Sequence, residues 1–121
     1  MRYIDIKVKS SDLELKKELE YNSPPITSGS INDIACRFEF SDDWNDIEYI
    51  MAVFIGSNKK CSVSVDNNIV VVPSDCISIP NSELLVGLTG TNSYEYEEEL
   101  RQITTEYISL GVITEGASIY N

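Results

Sequence analysis

Polar and apolar side chains alternate along most of this chain, and this alternation limits the possible fold more than any other feature of the sequence. A period of two places successive side chains on opposite faces of a β-strand, so that one face can enter a core while the other meets water. In residues 31–40, for example, Ile34, Cys36, Phe38 and Phe40 share one face. The same alternation predicts further strands at residues 4–8, 61–65, 69–72, 84–88 and 103–113.

Residues 48–55 depart from this alternation, because a strand here has apolar side chains on both faces. One face consists of Tyr49, Met51, Val53 and Ile55, and the other of Ile50, Ala52 and Phe54. Such a strand is typical of the centre of a sheet, or of a sheet whose outer face makes a second contact.

Turn-forming residues separate the strands. Residues 56–59 and 66–68 are expected to reverse the chain, because Asn and Asp tolerate positive φ. Pro73 ends the strand before it, since proline has no N–H for the ladder. Short strands at this spacing indicate an antiparallel sandwich or a small barrel, and we predict an all-β fold: a single antiparallel, immunoglobulin-like β-sandwich domain over residues 1–121. Residues 12–20 fit either one short helix or a strand.

The charge balance excludes some classes of partner. The 121 residues include 20 acidic and 9 basic side chains, which gives a formal net charge of -11. This charge repels phosphate backbones and anionic lipid headgroups, so we expect no nucleic acid and no membrane among the partners. With 42% hydrophobic and 24% charged residues, the composition is that of a globular protein and not of a disordered acidic tail.

Catalytic motifs are missing from the sequence. The chain contains no histidine, which is the commonest general base and metal ligand. It has neither a G-x-S-x-G motif nor a glycine-rich phosphate loop, and its acidic runs lack the spacing of a calcium loop. We therefore predict a protein that is not an enzyme and has no cofactor or metal. The cysteines at 36, 61 and 76 form an odd set without CxxC spacing, which predicts buried free thiols.

Trp44 is flanked by Asp42, Asp43 and Asp46, and a pair of carboxylates beside an aromatic ring can indicate a glycosidase. Sequence neighbours on a short turn seldom face each other across a substrate, so we favour a structural role. In this interpretation Ser41 or Asp42 caps a short turn and Trp44 packs over the core. Carbohydrate binding by an exposed Trp44 is the alternative. The predicted structural core consists of Phe38, Phe40, Trp44, Val53 and Phe54.

Two charged segments are candidates for docking a partner. The acidic one is expected to be a solvated hairpin, with a basic partner surface as the alternative, and it contains Glu95, Glu97, Glu98 and Glu99. The basic one is either a docking patch or the solvated side of a strand, and it contains Lys7, Lys9, Lys16 and Lys17.

The order of several landmarks resembles a known group of domains. These landmarks are Phe38-x-Phe40-x-Asp42-Asp43-Trp44, Ala52-Val53-Phe54, Val71-Val72-Pro73, Val86-Gly87-Leu88-Thr89-Gly90 and the segment 103–112. In this order and spacing, residues 31–116 resemble a small β-sandwich domain of virion structural proteins in tailed phages of Gram-positive bacteria. That group includes capsid accessory and head-fibre proteins and the N-terminal domains of baseplate and fibre proteins.

The resemblance implies a non-enzymatic phage virion structural protein. The length of 121 residues favours a capsid decoration or head accessory subunit, with a tail, baseplate or fibre attachment component as the alternative. A carbohydrate-binding, adhesin-like module is a further alternative. The implied partners are major capsid or tail and baseplate proteins and other copies of the chain, as a homo-oligomer or symmetric array. The expected location is the virion, after assembly in the host bacterial cytoplasm, because the charged N-terminus does not resemble a signal peptide.

Overall fold

The computed structural model describes residues 1–16, 25–92 and 101–117, and these contain nine strands and two short 3₁₀ turns. The 3₁₀ turns span Asp42–Trp44 and Ser74–Ile77. The strands are β1 Arg2–Val8, β2 Leu13–Leu15, β3 Ile34–Phe40, β4 Tyr49–Gly56, β5 Lys59–Ser64, β6 Ile69–Val71, β7 Glu83–Thr91, β8 Gln102–Thr104 and β9 Ile108–Val112. The predicted all-β class is confirmed.

The strands form two sheets. The first sheet has the order β2-β1-β3-β6, and the second has the order β5-β4-β7 followed by β8 and β9. Strands β8 and β9 pair with different parts of β7, at residues 89–91 and 83–86 respectively. The second sheet is antiparallel throughout the described residues.

The first sheet contains a parallel pair, so the prediction of a purely antiparallel fold is wrong. Strands β1 and β3 run parallel over seven residue pairs, from Arg2 opposite Ile34 to Val8 opposite Phe40. Alternation shows which side chains face the core, but it is the same for parallel and antiparallel partners. The sequence pattern therefore carries no information on this pairing.

Residues 66–68 form the predicted turn, but the strand that follows belongs to the other sheet. Asn67 and Asn68 have φ values of 53° and 64°, and Asp66 forms a bridge with Ile69. Strand β5 before the turn pairs with β4, whereas β6 after it pairs with β3. The turn thus carries the chain from the second sheet to the first.

The segment 12–20, which the sequence leaves open, is a strand in its described part. Leu13–Leu15 forms β2, which pairs antiparallel with β1. The register sets Leu13 opposite Val8 and Leu15 opposite Ile6, so both leucines join the apolar side of β1. The helix interpretation is wrong for these residues, and residues 17–20 lie outside the described ranges.

The two sheets share one apolar core, to which each contributes its alternating inner side chains. Phe38, Trp44 and Phe54 are buried in it, and Phe40 is half-buried against it. Replacing a side chain of this size by alanine in a packed core costs about 3–5 kcal/mol. Val53 is a correction to the predicted core. It lies on the opposite face of β4 from Phe54 and is only half-buried, because successive residues of a strand face opposite ways.

The predicted last strand, 103–113, is divided into β8 and β9. Between them the side-chain hydroxyl of Thr105 accepts the N–H of Leu88 at 2.9 Å, which replaces a ladder bond. A register shift between Leu84 and Leu85 then places Val112 opposite the exposed Glu83. Val112 therefore lies on the outer face of the sheet and is 58% exposed.

Candidate interaction surfaces

The outer face of the first sheet carries interleaved charges of both signs. The Arg37 guanidinium donates to both carboxylate oxygens of Asp5, at 2.7 and 3.0 Å. Lys16 Nζ lies 2.6 Å from a carboxylate oxygen of Glu39. The parallel register explains the first contact, because Asp5 and Arg37 are direct partners in the β1–β3 pair.

These contacts favour the ionised form of each carboxylate. The hydrogen bond from Arg37 holds the pKa of Asp5 below its ordinary value, and the hydrogen bond from Lys16 does the same for the pKa of Glu39. The Arg37 guanidinium carbon also lies 4.3 Å from the centre of the Tyr3 ring, a cation–π contact. Paired charges therefore occupy much of the outer face of the first sheet.

Three of the four lysines of the predicted docking patch lie on this face. Lys9 Nζ is 3.6 Å from a carboxylate oxygen of Glu14, Lys16 pairs with Glu39, and Lys7 is the register partner of both glutamates. The face is thus a balanced lattice and not a cationic patch. Lys17, Glu95, Glu97, Glu98 and Glu99 lie outside the described residues.

The outer face of the second sheet has a different composition. Its side chains are mainly aliphatic, aromatic or hydroxyl-bearing, and the ladder registers place sixteen residues on it. They are Tyr49, Met51, Val53 and Ile55 on β4, Lys60, Ser62 and Ser64 on β5, Glu83, Leu85, Gly87, Thr89 and Thr91 on β7, Gln102 and Thr104 on β8, and Ser109 and Val112 on β9. Only Lys60 and Glu83 are charged among these sixteen described residues.

Aromatic rings lie on this second face. Tyr49 is 57% exposed at the start of β4, and Tyr107, between β8 and β9, is 42% exposed. The Tyr107 ring packs on the backbone of Gly87, where an added Cβ would lie 3.0 Å from a ring carbon. The missing side chain at Gly87 leaves the space that the Tyr107 ring occupies.

Trp44 is buried, with 3% of its surface exposed. Its indole N–H points to the carbonyl oxygens of Lys9 and Ser10, each at 3.2 Å, and its ring centre is 5.2 Å from that of Phe40. This agrees with a structural role and leaves no ring face for stacking a sugar. The capping prediction fails for Ser41: it precedes the 3₁₀ turn, but its hydroxyl makes no capping bond and has no partner among the described residues.

An open groove of about 620 Å³ runs beside β3. The Asp5–Arg37 and Lys16–Glu39 pairs form part of its rim, and its other lining residues are Phe38, Phe40, Trp44, Asn45, Ile47, Ile50 and Asn68. Carboxamides next to apolar side chains can bind an uncharged polar ligand, because both hydrogen bonds and contact area are available.

The three cysteines are free thiols, and Cys36 and Cys76 are buried as predicted, whereas Cys61 is only half-buried. Burial raises the pKa of Cys36 to about 12, and burial, followed by a hydrogen bond with Cys61, raises the pKa of Cys76 to about 12. Cys36 and Cys76 therefore stay protonated at neutral pH and are poor nucleophiles. Within the described ranges, no three His, Cys, Asp or Glu side chains are grouped as metal ligands would be.

Comparison with known proteins adds no relative: no protein-family model, curated protein or solved structure matches the chain. In the described part of the chain, no helix has the length and apolar character that crossing a membrane requires.

The two outer faces differ in how far the sequence predicts them. The doubly apolar run 49–55 predicted either a central strand or a second contact surface, and the central position is confirmed, since β4 lies between β5 and β7. The pairing of Lys9 and Lys16 with glutamates was missed. Those contacts depend on the strand register, which no local signal in the sequence specifies.

Proposed function

We propose that this protein is a non-enzymatic structural protein of a phage virion, acting as a capsid decoration or head accessory subunit. The observation that carries the proposal is the broad outer face of the second sheet, which has few charges in a chain of net charge -11. An accessory subunit needs such a face, because it binds through many repeated contacts in a symmetric array. The resemblance of residues 31–116 to virion domains supplies the biological setting.

We also propose that the two sheets form an immunoglobulin-like β-sandwich. The shared core supports this, since the inner side chains of both sheets belong to one cluster. An experimental structure tests it. Strand directions in the two sheets within about 30° of each other would agree with an aligned sandwich, whereas a continuous ladder joining the sheets would indicate a barrel.

The proposed partners are major capsid proteins, or tail and baseplate proteins, together with other copies of the chain. The proposed location is the virion, with assembly in the host bacterial cytoplasm. The charged lattice that contains Lys7, Lys9 and Lys16 is a second docking candidate. It would bind through exchanged ion pairs, because its charges are already matched within the sheet. Lys17 and the acidic residues Glu95, Glu97, Glu98 and Glu99 remain docking proposals from the sequence alone.

Quantitative mass spectrometry of purified particles tests the proposal. Particles from the producing strain are banded by density and washed at high salt, and the copy number is measured against the major capsid protein. Hundreds of copies per particle would agree with a decoration subunit on the head lattice. A copy number of roughly six to a few dozen, typical of ring symmetry, would favour the tail, baseplate or fibre alternative. Absence from washed particles would refute a virion role.

The groove beside β3 favours one further candidate, a carbohydrate-binding, adhesin-like module. Asn45 and Asn68 offer carboxamide groups to sugar hydroxyls, and Phe40 and Ile50 offer apolar contact. Trp44 lines the groove, but its burial prevents the stacking role that the sequence suggested. Absence from particles would move this candidate to first place.

A further inference from the structure

We infer that the outer face of the second sheet packs against the same face of a second copy of this chain. The inference rests on the proposed function in one respect, namely that several copies of the protein act together. It adds which surface joins two of them. It also gives a role to the outward apolar side chains of β4, which the core does not use.

The chemistry of this face differs from that of an ordinary solvent-facing sheet. Met51, Val53 and Ile55 point outward from the central strand and are half-buried by their neighbours. Leu85 lies beside Ile55 on β7, and Tyr107 covers Gly87. The solvent-facing side of an antiparallel sheet is usually polar. The first sheet also has a polar outer face, although its β1–β3 pair is parallel. An exposed surface of this apolar character typically marks an interaction site.

The charges on this face lie at one end. Lys60 is paired with Ile55 next to the β4–β5 turn, and Glu83 is the first residue of β7. The centre contains hydroxyl groups, such as those of Ser62 and Thr89, between the aliphatic side chains. Two chains that each carry a charge of -11 repel one another. Within the described residues, contact through this centre brings no carboxylates together.

The same features favour a second copy over other partners. A partner with an acidic contact surface finds only one cation among the described residues of this face, Lys60. A basic partner is attracted instead to carboxylates elsewhere, such as exposed Asp42 and Asp43 in the first 3₁₀ turn. A face with one cation, one anion and a neutral centre fits a surface of the same composition. A two-fold contact provides that surface, because it places one patch against itself.

The size of the face is adequate for such a contact. Four strands about 4.8 Å apart, with eight residues rising about 3.4 Å each, cover roughly 19 by 27 Å. A typical stable interface buries about 800 Å² of accessible surface on each partner. A planar face of roughly 500 Å² supplies the central part of such an interface, with two sheets stacked about 10 Å apart.

Sedimentation velocity of the full chain, measured over a wide concentration range, tests the inference. We expect a monomer–dimer equilibrium for the unmodified protein. Val53→Lys places a cation at the centre of the face, where the two-fold axis sets it close to its own copy. We expect this variant to weaken dimerisation by at least about tenfold, because like charges are brought together.

Val71→Lys is the matched control. Val71 is also a half-buried strand valine outside the core cluster, but it faces outward from the first sheet. It is expected to leave dimerisation unchanged. Circular dichroism and thermal unfolding establish that both variants fold. A monomeric unmodified protein, or equal weakening by both substitutions, would overturn the inference.

A second measurement needs no variant. On dilution of the unmodified protein, the methyl NMR resonances of Met51, Val53 and Ile55 should shift as the dimer dissociates, while those of Val71 stay constant. Shifts confined to Val71 would contradict the inference. These results are independent of particle composition. If the protein dimerises but is absent from virions, only the proposed function is refuted. If it is monomeric but present in virions, only this inference is refuted.

Discussion

Trp44 combines two kinds of contact, and their contributions to stability can be separated. Its ring fills the core beside Phe40 and approaches Gly90 so closely that an added Cβ would lie 2.9 Å from a ring carbon. Its indole N–H meets the carbonyl oxygens of Lys9 and Ser10, just after β1. The residue therefore ties the start of the β1–β2 connection to the core.

We expect Trp44→Ala to lower the free energy of unfolding by about 3–5 kcal/mol, because it empties a core site. Trp44→Phe keeps much of the ring but leaves the two carbonyl groups without the indole N–H, and should cost about 1–3 kcal/mol. Urea unfolding followed by circular dichroism measures both. A Trp44→Phe variant as stable as the unmodified protein would contradict the separate contribution of the indole N–H, and equal losses for the two variants would contradict that of the ring.

At the level of elements, the β4–β5 hairpin depends on backbone conformation at its turn. Ser57 and Asn58 have φ values of 53° and 61°, both in the left-handed region. The Ser57 hydroxyl donates to the carbonyl oxygen of Cys76 at 3.1 Å and accepts the N–H of Ile79 at 2.9 Å. The turn thus also fixes the second 3₁₀ turn against the end of the hairpin.

We expect Asn58→Ala to destabilise the protein by about 1–2 kcal/mol, since alanine is strained at positive φ. Asn58→Gly should leave stability nearly unchanged, because glycine adopts this conformation freely. Asn45→Ala is the matched control: Asn45 is exposed and has a φ of -62°, so its replacement should change stability by less than about 0.5 kcal/mol. Equal effects at Asn58 and Asn45 in urea unfolding would refute the role of φ.

The elements also show how far the sequence determines this fold. The turn at Ser57 and Asn58 was predictable, because residue types such as Asn tolerate the positive φ values that a tight turn requires. The doubly apolar β4 was predictable as central, because burial on both sides needs apolar residues on both sides. The parallel pairing of β1 with β3, and hence the Asp5–Arg37 contact, was not. This pairing depends on which strands, distant in the sequence, lie side by side. The alternation of polar and apolar residues does not specify that.

At the scale of the whole molecule, negative charges outnumber positive charges so far that ion pairs cannot neutralise all of them. The described ion pairs already engage Arg2, Lys9, Lys16, Arg37 and Arg101. With 20 acidic and 9 basic side chains, most carboxylates can have no cationic partner of their own. Repulsion among them destabilises the compact state.

We therefore expect the melting temperature to rise as NaCl increases from about 10 to about 150 mM. Over this range the screening length falls from about 30 to about 8 Å, which weakens repulsion among distant carboxylates. The exposed ion pairs lose strength as well, but such pairs contribute little to stability. A net gain of about 1 kcal/mol would raise the melting temperature by roughly 4 °C in a domain of this size. Differential scanning calorimetry measures the change.

Two variants that change the net charge in opposite directions distinguish repulsion among carboxylates from a general effect of salt. Glu48→Gln removes one exposed carboxylate and should reduce the rise in melting temperature, whereas Lys59→Gln removes an exposed cation and should enlarge it. A non-ionic osmolyte at equal osmolality should not distinguish the variants. A melting temperature that falls with salt would mean that the charged lattice of the first sheet stabilises the fold more than the excess carboxylates destabilise it. In that case Arg37→Gln, which removes the partner of Asp5, should reduce the fall.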